Sequence, residues 1–142
     1  MLRTRIPVTP HRLLNPNATI TRKERDQLPW PLPMKSSTII KFALRRQLRE
    51  ATMLAALNDR PEKPLSGKVV LRFTVAYEKG RKALDWDNCV SSCKGLIDGL
   101  VDAGFMRDDD QVTGIFLTQT KDPEGKGYVD VVVEPEKGAK AA

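Results

Sequence analysis

Histidine and cysteine are scarce in this chain of 142 residues, which has one histidine, His11, and two cysteines, Cys89 and Cys93. A histidine-based nucleophilic triad and a tetrahedral zinc site both lack the side chains they need. The cysteines lie four residues apart within an apolar helical pattern, so we expect two buried thiols and no disulfide. No glycine-rich phosphate loop or dinucleotide fingerprint occurs, and no small-molecule cofactor is expected.

Long apolar runs are also missing, since no stretch approaches about 18 consecutive apolar residues. No charged-then-apolar leader is recognisable. We therefore expect no membrane span, no secretory signal and a cytoplasmic location. With 40% hydrophobic and 30% charged residues, the composition is that of a soluble globular protein with one modest core.

The charge is unevenly distributed along the chain. Residues 1–84 carry 18 Lys and Arg against 6 Asp and Glu, a net of +12. Residues 85–142 carry 6 against 12, a net of −6. A basic half and an acidic half suit a protein that grips a polyanion and holds a cation. The alternative is a solvated surface with uneven charge.

Hydrophobic periodicity predicts a single α/β (α+β) domain over residues 1–142, with a mixed sheet of about four strands and two main helices on one face. We expect a proline-rich basic segment over 1–35 and a flexible tail over 136–142. The expected elements are strands over 1–8, 67–79, 112–120 and 128–134, with helices from Ser36 or Ser37 to about Asn58 and from Asn88 to Ala103. The turn over 122–127 predicts that the last two strands form a hairpin.

The proline-rich segment is expected to be extended and irregular. Two interpretations of it stay open. It either packs Trp30 on the domain or on a partner subunit, or it becomes ordered on DNA.

Two groups of basic residues are candidates for phosphate contact. The first helix should bury an apolar stripe and expose a basic face, and a second basic group follows the strand over 67–79. The expected stripe is Ile40, Ala43, Leu44, Leu48, Ala51, Leu54 and Ala55; the candidate contacts are Lys41, Arg45, Arg46 and Arg49 on the helix and Lys79, Arg81 and Lys82 after the strand. For the helix face, plain solvation is the alternative to DNA contact.

Aspartates concentrate between residues 85 and 110. If the backbone at Asp85 and Asp87 is extended, both carboxylates point to one side, roughly 7 Å apart. Asn88 is the expected helix start and Gly104 the expected end. The expected buried stripe is Cys89, Val90, Cys93, Leu96, Ile97, Leu100 and Val101, with Asp87, Ser91, Lys94 and Asp98 on another side.

The aspartates of this region offer oxygen ligands for a metal ion. Asp85, Asp87 and the group 108–110 could together hold Mg²⁺, which prefers a few carboxylates plus waters. Such an ion polarises a phosphodiester and activates water, and Lys94 is placed to orient that water. The alternative is that these acids cap a helix and solvate a turn.

The motif residues resemble the core of the RusA family of Holliday-junction resolvases. The likeness is carried by Asp85-Trp-Asp87-Asn88, by Lys94 with Asp98 and Leu100, and by the run from Ala103 to Val112. It implies a RusA-like fold and a homodimer that cuts two opposed strands of four-way DNA junctions with Mg²⁺, with Mn²⁺ as an alternative ion. The family is common in bacteria and their phages, where it serves recombination and repair.

Carried over by position, the resemblance makes Asp85, Asp87 and Asp109 metal ligands and Lys94 the catalytic lysine. Asp98 and Asp108 become supporting acids. The family usually has two residues between the asparagine and the lysine, whereas five separate Asn88 from Lys94. The three extra residues add about 4.5 Å along a helix, so Arg81, Lys82 and Arg107 are alternative cations for the site.

Two other functions remain open at this stage. One is a protein that binds branched DNA without cutting it, and the other is a less selective metal-dependent nuclease that cuts flaps or forks.

Overall fold

The computed structural model of the chain describes residues 1–11, 14, 19–29 and 36–136, which form a small α+β domain. Trp30 and residues 137–142 of the expected tail lie outside the described residues. In chain order the elements are β1 (Leu2–Ile6), α1 (Arg22–Gln27), α2 (Ser37–Ala56), a 3₁₀ turn (Leu57–Asp59), β2 (Val69–Tyr77), α3 (Trp86–Ala103), a second 3₁₀ turn (Asp109–Gln111), β3 (Val112–Lys121) and β4 (Tyr128–Pro135).

The four strands form one mixed sheet in the order β1-β4-β2-β3, which confirms the predicted architecture. β2 runs parallel to β3, and β4 is antiparallel to both β1 and β2. The predicted hairpin between the last two strands is therefore wrong, because β2 lies between β3 and β4.

A physical reason for this order lies in the side chains of β4. Its alternate residues Val129, Val131 and Val133 are all buried, and the position between β1 and β2 places this apolar face at the centre of the sheet, over the core. The connecting turn crosses the end of β2, where the Asp122 backbone N–H donates to the Tyr77 carbonyl at 2.9 Å. A turn of six residues can join two paired strands, but it is also long enough to pass over one strand. The length of the turn alone therefore did not show whether β3 and β4 pair with each other.

β3 is an edge strand that buries none of its side chains. Ile115 and Phe116 are 43% and 53% exposed, on opposite faces of the strand. On the side of the sheet away from the buried valines, Arg72 stacks on the Phe116 ring with its guanidinium 4.3 Å from the centroid. The same arginine pairs with Glu134 at 2.6 Å. This side of the sheet is therefore polar, and the core lies on the other side.

α2 begins where predicted, because the Ser36 side chain accepts the Ile39 backbone N–H. Its buried residues are Ile40, Leu48, Thr52 and Ala56, at steps of four and eight. Leu54, which we expected in the stripe, is 63% exposed, so that prediction is wrong. Thr52 is fully buried because its hydroxyl donates to the Leu48 carbonyl at 2.7 Å, which removes the cost of burying a polar group.

α3 begins two residues earlier than predicted. Asp85, not Asn88, is the N-cap residue, and its carbonyl accepts the Cys89 backbone N–H at 3.0 Å. Asp85 has φ −56° and ψ 150°, while Asp87 is already in the first helical turn, so the condition of an extended backbone at both residues is not met. No proline or glycine lies between Asp85 and Asn88, so the sequence allows the helix to begin before Asn88. The helix ends as predicted at Gly104, whose φ of 93° is the left-handed conformation that glycine tolerates.

The predicted apolar stripe of α3 is confirmed at its centre, and the prediction is wrong near one end. Cys89, Cys93 and Leu96 are buried, but Val90 is 60% exposed and lies beside Trp86, which is 57% exposed. Burial raises the pKa of the Cys93 thiol to about 12, so this cysteine is an inert part of the core.

The two long helices approach closely at two glycines of α3. A Cβ built on Gly99 would lie 2.7 Å from the Arg49 carbonyl oxygen and 2.5 Å from the Thr52 Cβ. One turn earlier, a Cβ on Gly95 would lie 3.2 Å from the end of the Leu48 side chain. Glycine at position 99 therefore allows the backbones of α2 and α3 to come together.

The described part of the amino-terminal segment includes a short helix, α1, where we expected irregular chain. Thr21 and Glu24 cap each other at its start: the Glu24 backbone N–H donates to the Thr21 hydroxyl at 3.1 Å, and the Thr21 N–H donates back to the Glu24 carboxylate. The sequence Thr-x-x-Glu was the available signal for this helix. Across the described part of the chain, no helix combines the length and the apolar character that crossing a membrane requires.

We predict that Gly99→Ala destabilises the protein by at least about 1 kcal/mol, because a backbone carbonyl cannot move aside and overpacking outweighs the helix propensity gained. Gly95→Ala is the matched control. Its new methyl group meets only a flexible leucine, so its stability should stay within about 1 kcal/mol of native. Denaturant unfolding monitored by circular dichroism measures both, and a Gly99→Ala variant as stable as native would contradict the prediction.

Candidate functional site

The exposed face of α3 carries a row of polar side chains in the predicted order Asp87, Ser91, Lys94 and Asp98. Asp87 and Lys94 are seven residues apart, which returns the side chains to nearly the same side of a helix about 10 Å further along its axis. The Ser91 hydroxyl between them donates to the Asp87 carbonyl at 2.8 Å. The row is therefore one continuous stripe along the helix.

Lys94 is the centre of the ionic contacts on this stripe. Its Nζ lies 3.1 Å from an Asp98 oxygen and 2.6 Å from an Asp109 oxygen. The hydrogen bond to Asp109, followed by that to Asp98, raises the pKa of Lys94. The hydrogen bond from Lys94, followed by that from Asp108, lowers the pKa of Asp109. The Lys94 ammonium group therefore lies between the Asp98 and Asp109 side chains and favours the ionised form of Asp109.

Asp109 is positioned by the turn that precedes β3. The Asp108 side chain accepts the Asp110 backbone N–H at 3.2 Å and caps this 3₁₀ turn. Asp108 thus has a structural role that explains part of the acidic run. Asp109 and Asp110 are exposed.

Gln111 ties the acidic turn to the rest of the domain. Its side-chain nitrogen donates to the Leu65 and Gly67 carbonyls at 2.7 and 2.8 Å. Its side-chain oxygen accepts the Arg107 and Asp108 backbone N–H groups at 2.7 and 3.0 Å. These four bonds use both amide hydrogens and both oxygen lone pairs of a buried side chain, so the path of residues 107–111 depends on this one residue.

A second ionic contact joins α2 to the same stripe. Arg49 makes a bidentate pair with Asp102 on α3, at 2.6 and 2.9 Å, and lies 3.9 Å from Asp98. Asp98 also pairs with Lys94. Charges therefore alternate in sign along a five-residue ion-pair network, which runs through Asp102, Arg49, Asp98, Lys94 and Asp109.

Asp85 and Asp87 lie outside this network, at the start of α3. Both are exposed, and the Asp85 side chain makes no capping hydrogen bond. Among the residues that the structure describes, no three acidic, histidine or cysteine side chains lie close enough together to hold a metal ion. The carboxylate oxygens are the donor type that Mg²⁺ prefers, but as placed they do not converge on one ion.

The basic residues after β2 have two different environments. Arg81 is largely enclosed: it pairs with Glu78 at 3.0 Å and donates to the Thr9 hydroxyl and the Pro10 carbonyl. It ties the chain that follows β1 to the end of β2. Lys79 and Lys82 are exposed and make no ion pair within the described ranges.

Lys79 and Lys82 line a cleft of about 640 Å³ at the carboxyl ends of β2 and β3, together with Lys121. Two of the acids in its wall are already satisfied. Asp122 accepts three backbone N–H groups at 2.9 Å each, and Glu78 accepts from Thr9 and Arg81. The cleft is lined by four cations, Lys79, Arg81, Lys82 and Lys121, against three acids, Glu78, Asp122 and Glu124, so cations are in slight excess. Lys121 was missed because it lies at the end of a different strand, 39 positions after Lys82 in the sequence.

The basic face of α2 is partly used within the protein. Arg49 belongs to the ion-pair network, and Arg46 pairs with Glu50 at 2.9 Å on the surface. Arg45 is exposed and makes no ion pair in the described part of the chain. Lys41 is half-buried. Arg107 is exposed and adjoins the acidic turn.

The chain matches no model of a known protein family, and a search of curated proteins found no relative. The resemblance to the RusA family is therefore carried by the motif residues alone.

We predict that Lys94→Met raises the pKa of Asp109 toward that of an ordinary aspartate, whereas Lys94→Arg keeps it low. In native protein the folded-state pKa is depressed, so the ion pair adds stability above the unfolded-state pKa and is lost as the pH falls through the folded-state pKa. Carboxyl-carbon NMR titration in metal-free buffer measures the pKa. An unchanged Asp109 titration in Lys94→Met would contradict the contact.

We predict that Gln111→Leu costs about 2 kcal/mol or more of stability, because two carbonyls and two N–H groups lose their partner. Exchange of the Arg107 and Asp108 amide hydrogens should become faster. Gln47→Leu, on the exposed side of α2, is the matched control and should change stability by less than about 0.5 kcal/mol. Equal effects of the two variants would show that the four hydrogen bonds contribute little.

Proposed function

We propose that this chain is a Mg²⁺-dependent, structure-selective DNA endonuclease that resolves four-way junctions as a homodimer, and that it works in the cytoplasm. The observation that carries the proposal is the polar stripe of α3, which has Asp87 at its start and brings Lys94 into contact with Asp98 and Asp109. These residues belong to the motifs that resemble the RusA family. Their exposure leaves them open to a large substrate such as DNA.

The charge on either side of the stripe supports a polyanionic substrate. The cleft lined by Lys79, Lys82 and Lys121 adjoins the segment of chain that leads into Asp85. Exposed lysines contact phosphates at small cost, and such contacts make binding strongly dependent on salt. A phosphodiester backbone held in this cleft would lie close to the start of α3.

Within the proposed reaction, the roles of the residues follow from their contacts. Asp85 and Asp87 are exposed carboxylates at the start of the helix, free to take a cation from solution. Lys94 carries a positive charge that is fixed by Asp98 and Asp109, where it can offset negative charge on a reacting phosphate. Mg²⁺ would supply an activated water and polarise the phosphodiester when bound.

The free edge of β3 supports self-association. Within the described residues β3 pairs only with β2, and it exposes Ile115 and Phe116. Apolar side chains on an unpaired edge favour contact with another chain. A two-fold dimer would give the two symmetric sites that paired nicks require.

We predict that the native protein makes paired nicks in a labelled four-way junction only when Mg²⁺ or Mn²⁺ is added. Asp87→Asn should reduce the cleavage rate by about 100-fold or more, because a carboxylate that stabilises transition-state charge through the ion is lost. Asp110→Asn, which removes an equally exposed acid near Asp109, is the matched control and should cleave at close to the native rate. Affinity is measured separately, since removing a negative charge can tighten DNA binding.

Other substrates separate the alternatives. Equal cutting of linear, forked and four-way DNA would indicate a less selective nuclease. Binding that survives Asp87→Asn, with no cutting by native protein in either ion, would indicate a protein that only binds branched DNA. A monomer in sedimentation at working concentration would remove the homodimer from the proposal.

A further inference from the structure

A groove of about 410 Å³ lies between α2 and α3, beside the ion-pair network. One side of it is formed by the outward row of α2, whose residues recur at helical spacing. The other side is formed by α3. The residues that matter here are Phe42, Arg45, Arg46 and Arg49 of α2 with Asp98 and Asp102 of α3.

Phe42 is the unusual member of this groove. Its side chain is 66% exposed, although a phenylalanine ring gains about 2 kcal/mol when it is buried. The ring is one helical turn from Arg45 and Arg46, so an aromatic face and two cations lie on the same side of α2. Other exposed apolar residues of α2, such as Leu54, do not line the groove.

The arginines of the groove differ in how firmly they are held. Arg49 is fixed by its bidentate pair with Asp102 and forms part of the wall. Among the described residues Arg46 pairs only with the exposed Glu50, and surface pairs four apart on a helix contribute little to stability. Arg45 makes no ion pair with any described residue. Two cations beside the ring can therefore turn to an anionic ligand at small cost.

The groove is continuous with the residues of the proposed cleavage site. Asp98 lines the groove and pairs with Lys94, which in turn pairs with Asp109. A ligand that occupies the groove therefore contacts the same network that holds Asp109. This continuity favours a ligand that belongs to the substrate.

We propose that Phe42 stacks on an unpaired or unstacked base of branched DNA, while Arg45 and Arg46 contact the flanking phosphates. Base stacking on aromatic side chains tolerates any sequence, and it requires a base face that a continuous duplex does not offer. The groove would thereby select branched DNA over linear duplex. This inference rests on the proposed function and names the feature of the substrate that the protein recognises.

A second copy of this chain fits the groove less well. An isologous contact centred on Phe42 would bring Arg45 and Arg46 toward the same arginines of the copy. Like charges facing one another oppose such an interface, whereas phosphates attract both arginines.

The test compares Phe42→Ala, Phe42→Trp and the control Leu54→Ala in metal-free buffer, where no strand is cut. The probes are a four-way junction with 2-aminopurine at the branch point and a linear duplex of equal length. We expect Phe42→Ala to weaken junction binding by about fivefold or more and to abolish the protein-induced change in 2-aminopurine fluorescence. Phe42→Trp should restore both, Leu54→Ala should match native protein, and duplex affinity should change by less than about twofold.

Salt titration separates the ring from the arginines. Phe42→Ala should leave the salt dependence of binding unchanged, because the ring releases no counterions. Arg45→Ala should weaken binding to both DNAs and make the salt dependence shallower by about one ion.

Three results would overturn the inference. The first is a Phe42→Ala variant with native junction affinity and native fluorescence change. The second is a Phe42→Ala variant that loses duplex and junction binding equally. The third is a dimer that dissociates in Phe42→Ala, which would make the groove a self-association surface. Cleavage distinguishes these failures from failure of the proposed function. If native protein cuts junctions and the Phe42→Ala variant binds them like native protein, only the stacking inference is contradicted. If native protein never cuts junctions, yet the Phe42→Ala variant loses junction binding, only the proposed nuclease activity is contradicted.

Discussion

The close approach of α2 and α3 at Gly99 is the constraint on which the candidate site depends. Because no Cβ stands between Gly99 and the Arg49 carbonyl, the two helix backbones lie near enough for Arg49 to reach across to α3. Its guanidinium then meets Asp102 and Asp98. A bulkier residue at this position would move α2 away, and the groove and the arginine end of the network would open together.

The ion-pair network explains how an acidic stripe is stable without an external cation. Asp98 and Asp109 would repel each other if they faced one another alone, but Lys94 lies between them. Arg49 does the same for Asp98 and Asp102. Each carboxylate therefore has an internal partner, and a metal ion at Asp109 would have to compete with an ammonium group that belongs to the chain. The exposed pair at the start of α3 has no such internal competitor among the described residues.

Local patterns in the sequence predicted the four strands and the two long helices, whereas contacts between distant elements decided how the strands pair. The alternation of apolar residues in β2 and β4 is a local property, and so is the glycine that ends α3. Whether β4 pairs with β3 or inserts between β1 and β2 depends on residues more than 50 positions away, which is why the hairpin prediction failed. Gln111 went unnoticed for the same reason, since its importance comes from the carbonyls of Leu65 and Gly67.

The spacing between Asp87 and Lys94 separates the two side chains along the helix more than around it. A spacing of four residues would place a lysine about 40° past one full turn from the aspartate. The spacing of seven found here places Lys94 about 20° short of two full turns from Asp87. Both spacings keep the two side chains on the same face of the helix, but the longer one separates them by about 4.5 Å more. The spacing therefore keeps Asp87 and Lys94 on a common helix face while it divides the charges of the site into two groups, the exposed carboxylates at the start of α3 and the lysine-centred cluster near Asp109.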